Sequence, residues 1–95
     1  MAESNFQSKV AGYLRRKGCY VLVTTPRPGI PDGCPDIIAL VDGGGWLALE
    51  LKASKNEKFQ PLQEITVKKL DGMYYSRVVY PENWEDIKKE LEKII

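Results

Sequence analysis

Residues 33–52 read Gly-Cys-Pro-Asp-Ile-Ile-Ala-Leu-Val-Asp-Gly-Gly-Gly-Trp-Leu-Ala-Leu-Glu-Leu-Lys, the densest apolar run in the chain. An aspartate stands near one end, and a glutamate and a lysine close the other. The glycines at 43–45 divide the run into two strands, 36–41 and 46–52, joined as a hairpin. Nearly continuous hydrophobicity says that both faces of these strands are covered, which places them centrally in a sheet. With the hairpin centred on Gly43, Val41 faces Gly45, Leu40 faces Trp46 and Asp36 faces Glu50. Directly opposed residues share a face, and period-two alternation adds Lys52 to the face of Glu50. A one-residue bulge among the glycines would shift this register.

Two opposed carboxylates repel unless something offsets their charge. A protonated carboxyl or Lys52 would serve, and a divalent cation would serve best. Magnesium is typically held by one or two carboxylates, with waters and phosphate oxygens completing its shell. A lysine beside it is suited to orienting an attacking water or stabilising charge on phosphorus. The structural reading stands beside this one: Asp36 caps the turn after Pro35, while Glu50 and Lys52 form surface ion pairs.

Outward from the hairpin, residues 26–35 contain four prolines and two glycines, which exclude regular structure and mark a shaped loop. Before it, Cys19–Thr25 is β-rich. Glu3–Lys17 places Phe6, Val10, Ala11, Tyr13 and Leu14 at helical spacing, with Gly18 as the stop. After the hairpin, Ser54–Lys58 form a polar exit loop. Gln60–Leu70 reads as a helix with Pro61 in its first turn and Leu62, Ile65, Thr66 and Lys69/Leu70 at helical intervals. Met73–Tyr80 reads as a last strand. Residues 82–94 form an amphipathic helix with Trp84, Ile87, Leu91 and Ile94 inward. The order α-β-β-β-α-β-α predicts an α/β fold, a mixed sheet flanked by helices.

Ninety-five residues make a single domain, 1–95, with little surplus stability, for which dimerisation would be one remedy. The formal net charge of +1 gives no global reason to expect a polyanionic partner, so any such surface must come from local segregation of charge. No apolar run is long enough to cross a membrane, and no secretion signal is visible at the N-terminus, so a cytoplasmic protein is expected. Cys19 and Cys34 match no metal spacing, and the chain has no histidine, so a zinc site is not expected and both thiols should be reduced.

Pro35-Asp36, a hydrophobic spacer and Glu50-Leu51-Lys52 resemble the PD-(D/E)XK nuclease signature. Adding Glu3 with Phe6 and Val10, Gly33-Cys34, Ala53 and Phe59-Gln60-Pro61-Leu62-Gln63, nearly the whole chain is similar to the virus-type replication-repair nuclease (VRR-NUC) domain. That resemblance implies a restriction-endonuclease-like core and Mg²⁺- or Mn²⁺-dependent phosphodiester hydrolysis, with no small-molecule cofactor. It implies Asp36 and Glu50 as metal ligands, the Leu51 carbonyl as a further oxygen and Lys52 as the catalytic lysine. Gln63 would hold a substrate phosphate or help position Lys52. Glu3 would bind metal directly or through water, although an acid in a first turn also suits the helix dipole. Asp32 belongs to a turn rather than to the metal set.

The resemblance further implies a homodimer acting on branched DNA, such as four-way junctions, in replication, recombination or repair in a bacterial or phage-infected cell. Two readings compete with it: a catalytically silent nucleic-acid-binding module of nuclease-like fold, and an RNA endonuclease. Arg27, Lys55 and Lys58 border the expected metal end and are the candidates for phosphate contact. Arg15, Arg16 and Lys17 suit the C-terminus of the first helix without any ligand. Among Tyr74, Tyr75 and Tyr80, the alternating ones are expected in the core. Trp46, at the hairpin tip, is expected either at a subunit contact or beneath a helix.

Overall fold

The computed structural model describes residues 2–24, 28–58 and 61–95, and of residues 2–4 the backbone alone. Helix α1 (Ala2–Arg16) is followed by β1 (Tyr20–Val23), β2 (Ile37–Leu40) and β3 (Trp46–Leu51). Then come α2 (Pro61–Met73), β4 (Ser76–Val79), a 3₁₀ turn (Pro81–Asn83) and α3 (Trp84–Leu91). The sheet order is β1-β2-β3-β4, so the hairpin strands are central as expected. The first two pairings are antiparallel, and β3 pairs parallel with β4 through the α2 crossover.

Helix α1 ends where Gly18 takes a φ of 91°. Cys19 N donates to Leu14 O at 3.0 Å and Gly18 N to Arg15 O at 3.0 Å. This Schellman pair satisfies two end carbonyls and needs the left-handed residue that glycine supplies. It also explains why β1 begins at Tyr20 rather than Cys19, since the amide of Cys19 closes the helix.

The hairpin register is the one drawn from the glycines: Leu40 pairs with Trp46 and Ile37 with Leu49. Alternation then sorts the sheet into two faces. One carries Ile37, Ala39, Leu47, Leu49 and Leu51, all buried against Phe6, Val10 and Leu14 of α1 and Ile87 and Leu91 of α3. Trp84 joins the two helices, meeting Phe6 at 6.1 Å and Tyr13 at 5.3 Å between ring centroids, both edge-on. Such edge-to-face pairs contribute about 0.5–1.5 kcal/mol each beyond their buried area. The opposite face carries Tyr20, Leu22, Ile38, Leu40, Trp46, Ala48, Glu50 and Ser76, and α2 lies over its β3–β4 half.

Full coverage on both faces therefore holds for β3, buried from Leu47 to Leu51, and fails for β2, whose Leu40 is exposed. The single helix α2 is too narrow to cover four strands. Within α2 the apolar positions are not all inward: Leu62 and Ile65 are exposed, and Val67 is the residue buried against the sheet. The helix also runs to Met73, so Tyr74 N closes it on Leu70 O at 3.0 Å and β4 starts three residues later than its β-rich sequence suggested. Tyr75 is buried, Tyr80 partly so, and Tyr74 is exposed, packed on Trp46 at 5.8 Å.

The last helix is shorter than expected at both ends, because Pro81 opens a 3₁₀ turn before it and a further turn follows Leu91. An ionic cluster fastens β4 to both helices, with Arg77 bonded to Asp71 and to Glu90 and its guanidinium 4.5 Å over the Tyr75 ring. Burial, then the hydrogen bond to Glu90, pushes the Tyr75 phenol above the ordinary tyrosine range. Both cysteines are free thiols, and burial pushes the Cys19 thiol up. Among the described residues no helix is long and apolar enough to cross a membrane.

Candidate active site

Asp36 sits one residue before β2, where the ladder of β1 and β2 runs out. Thr24 fixes it from the neighbouring strand: its amide donates to Asp36 O at 2.9 Å, and its hydroxyl donates to Pro35 O. The Asp36 side chain turns toward β3, where Oδ2 accepts the Leu51 amide at 2.8 Å. A carboxylate thus occupies the place of a backbone carbonyl at the open end of the ladder. Because Ile37 pairs with Leu49, the next rung sets Asp36 opposite Glu50, on the face that carries α2.

Glu50 lies on β3 and Lys52 directly after it, and both are buried, at 2% and 4% exposure, which goes against the alternative reading of surface ion pairs. The Lys52 ammonium is held from three sides. It donates to Gln63 Oε1 on α2 at 2.8 Å and lies 3.8 Å from both Glu50 Oε2 and Glu57 Oε2. The Lys52 amide donates to Val79 O at 2.9 Å, so parallel pairing with β4 fixes its backbone as well. A cleft of about 400 Å³ opens beside these groups, lined by Thr24, Ile30, Gly33, Cys34, Asp36 and Gln63.

Asp36, Glu50, Lys52 and Gln63 are thus brought to one end of the sheet, and Leu51 is fixed between them. Lys55 and Lys58 are exposed on the exit loop that leaves this end. The Glu3 side chain and Arg27 lie outside the described residues. Asp32 lines the cleft within a turn segment and is exposed. Among the described residues no three His, Cys, Asp or Glu side chains form a metal-holding group. The two opposed carboxylates offer hard oxygens, the type that suits magnesium or manganese better than zinc.

Two contributors escaped the sequence reading. Thr24 looked like the end of a strand, and nothing in its spacing marked its bonds to Pro35 and Asp36. Glu57 lay in a polar exit loop, and the signal available was an acid five residues beyond the lysine. Its Oε1 accepts the Ala53 amide at 2.7 Å, closing the exit loop around Lys52. Replacing Glu57 with alanine should lower stability by roughly 1 kcal/mol, measured by urea unfolding, because the acid is partly exposed and its ionic share is screened.

No protein-family model matches the sequence, and no curated protein matches it either. The structure is similar to that of a solved VRR_NUC domain, with a TM-score of 0.76 at 18% sequence identity, covering 94% of this chain and 96% of that one. The chain has the VRR_NUC fold.

Proposed function

We propose, from a VRR_NUC fold whose cleft opens at Asp36 and Gln63 beside Glu50 and Lys52, that the protein is a metal-dependent DNA endonuclease hydrolysing phosphodiester bonds. The observation that carries the reading is the cross-strand placement of Asp36 and Glu50 with Lys52 held beside them by Gln63. Asp36 and Glu50 are the proposed ligands of Mg²⁺ or Mn²⁺, with the Leu51 carbonyl and Glu3 as further oxygens. When bound, the ion supplies neutralising charge and a more acidic water. Lys52 presents a preorganised ammonium to the negative charge that develops on phosphorus, in a site where burial strengthens the interaction.

Gln63 restricts the lysine rotamers, so little ordering remains for the reaction itself. It is also placed at the cleft wall, where its amide is suited to a substrate phosphate. Arg27, Lys55 and Lys58 are the proposed phosphate contacts, which give affinity that falls with salt and carries no sequence information. Selection by shape follows, and we assign branched junctions of replication, recombination or repair as substrates. Among the described residues one such set of Asp36, Glu50, Lys52 and Gln63 is assembled per chain, and cutting two strands calls for two copies, hence a homodimer.

Incubating the purified protein with labelled four-way junction, duplex, single strand and RNA, with Mg²⁺, Mn²⁺ or EDTA, tests this. Cleavage of the junction is expected with either metal, none with EDTA, and none by Asp36→Asn. Binding of all substrates without cleavage under both metals would refute the nuclease reading, and preferential cutting of RNA would refute its DNA part.

A further inference from the structure

The Lys52 ammonium is bonded at 2.8 Å to a neutral amide oxygen, that of Gln63, and stands 3.8 Å from each of two carboxylates. A charged N–H donor that closes on a carboxylate ordinarily settles at about 2.7–2.9 Å. Lys52 is buried, where water screens attraction poorly, yet it has closed on neither acid. Glu50 draws it from the strand and Glu57 from the exit loop, and the equal separations mark a balance between the two.

The exit loop is built to keep Glu57 in that place. Glu57 Oε1 accepts the Ala53 amide at 2.7 Å while Oε2 faces the ammonium, so one carboxylate ties the backbone after Lys52 to the lysine side chain. Ser54 turns the loop, its carbonyl accepting the Glu57 amide at 3.1 Å and its hydroxyl the Asn56 amide at 3.2 Å.

We infer that Glu57 is a positioning residue for the divalent cation: it draws the Lys52 ammonium off Glu50 and so leaves that carboxylate open to the ion. The inference rests on the metal-dependent reading of the cleft and adds to it a group that sets metal affinity. An ammonium and a divalent cation compete for the same carboxylate oxygens. Without Glu57, Lys52 closes on Glu50 and neutralises it. With Glu57 in place, Asp36, Glu50 and Glu57 outweigh Lys52 by two negative charges, the complement of Mg²⁺ or Mn²⁺. Glu57 acts from outside the ligand set, since among the described residues no third acid joins Asp36 and Glu50 in a metal-holding group. Replacing groups that orient ligands in this indirect way typically changes metal affinity about 10–100-fold.

Mn²⁺ binding to the intact chain, followed by the electron paramagnetic resonance signal of the free ion, tests this independently of cleavage. Glu57→Gln keeps an acceptor for the Ala53 amide and removes the charge. It should weaken Mn²⁺ binding about 10–100-fold with unchanged circular dichroism. Glu64→Gln removes the same charge from the exposed side of α2, where the acid pairs with Lys68, and should leave binding within about twofold. In a Lys52→Met background Glu57→Gln should lose most of its effect, because the competing ammonium is gone.

Unchanged Mn²⁺ affinity in Glu57→Gln overturns the inference and leaves the metal site standing. An undiminished loss in the Lys52→Met background also overturns it, since the effect then does not pass through the lysine. A wild type that takes up no Mn²⁺ removes the metal reading and this inference together. Mn²⁺ uptake that responds to Glu57 as expected, in a protein that cuts no nucleic acid, supports the inference and removes the nuclease reading.

Discussion

Lys52→Met should reduce cleavage by about 10²–10³-fold, chiefly in kcat, and at the same time make the fold respond more strongly to magnesium. The first effect follows if the ammonium acts on charge present only in the transition state. The second follows from what the substitution leaves behind. Lys52 is buried between Glu50 and Glu57, and its removal leaves the Glu50 carboxylate buried without that cation. Breaking a buried pair costs about 3–5 kcal/mol, and the 3.8 Å separations and open flank of Glu57 reduce this to roughly 1–3 kcal/mol. A divalent cation on Asp36 and Glu50 would return part of it. Thermal melts with Mg²⁺ and with EDTA should show a larger metal-dependent rise in Tm for the variant than for the wild type. Equal rises in both proteins would argue against a cation on those carboxylates.

Gly33→Ala should be the most disruptive single-methyl change near the cleft. Gly33 has a φ of 79°, and a Cβ there would stand 2.8 Å from the Leu62 carbonyl oxygen and 2.9 Å from its carbon. The obstruction is backbone of α2 and has no side-chain rotamer with which to yield. Left-handed strain of about 1–3 kcal/mol adds to the displacement, for roughly 3 kcal/mol in all. In a domain of this size that lowers Tm by about 10–20 °C. Gly29→Ala is the matched control: its φ is 95°, nothing among the described residues lies within 4 Å, and the strain alone should appear. Because Gly33 leads into Pro35-Asp36 and Leu62 precedes Gln63, the clash reaches both sides of the cleft. Cleavage should fall by about 10²-fold even at a temperature where the variant is fully folded, as a misplacement near 1 Å suffices for that.

How far the sequence was legible depended on the range of the interaction. The register of β2 and β3 was readable because a glycine tip allows few closures and Leu40, Trp46, Asp36 and Glu50 fall into line from it. The end of α1 was readable from Gly18. The burial of Leu62 and Ile65 was not readable from their spacing. Helical periodicity says which residues share a side and not whether a partner layer meets that side. Here the sheet offers α2 room for Val67 and for parts of Thr66 and Leu70, and the remaining apolar side chains point elsewhere. Thr24 and Glu57 were missed for a related reason. Each acts through loop geometry, a hydroxyl on a carbonyl and a carboxylate on an amide, which leaves no periodic trace in composition.

The three hydrogen bonds that place the cleft, Thr24 to Pro35, Leu51 to Asp36 and Lys52 to Gln63, span 11 to 15 residues each. The aromatic packing of Phe6 on Trp84 joins opposite ends of the chain. Closing a loop costs entropy that grows with its length, and short-range contacts form first. During folding, the hairpin and the start of α2 are thus expected to assemble the cleft as a local unit, after which the terminal helices dock beneath it. Damage to that late docking would then slow or reverse the final step while leaving the geometry of the cleft, once folded, as it was.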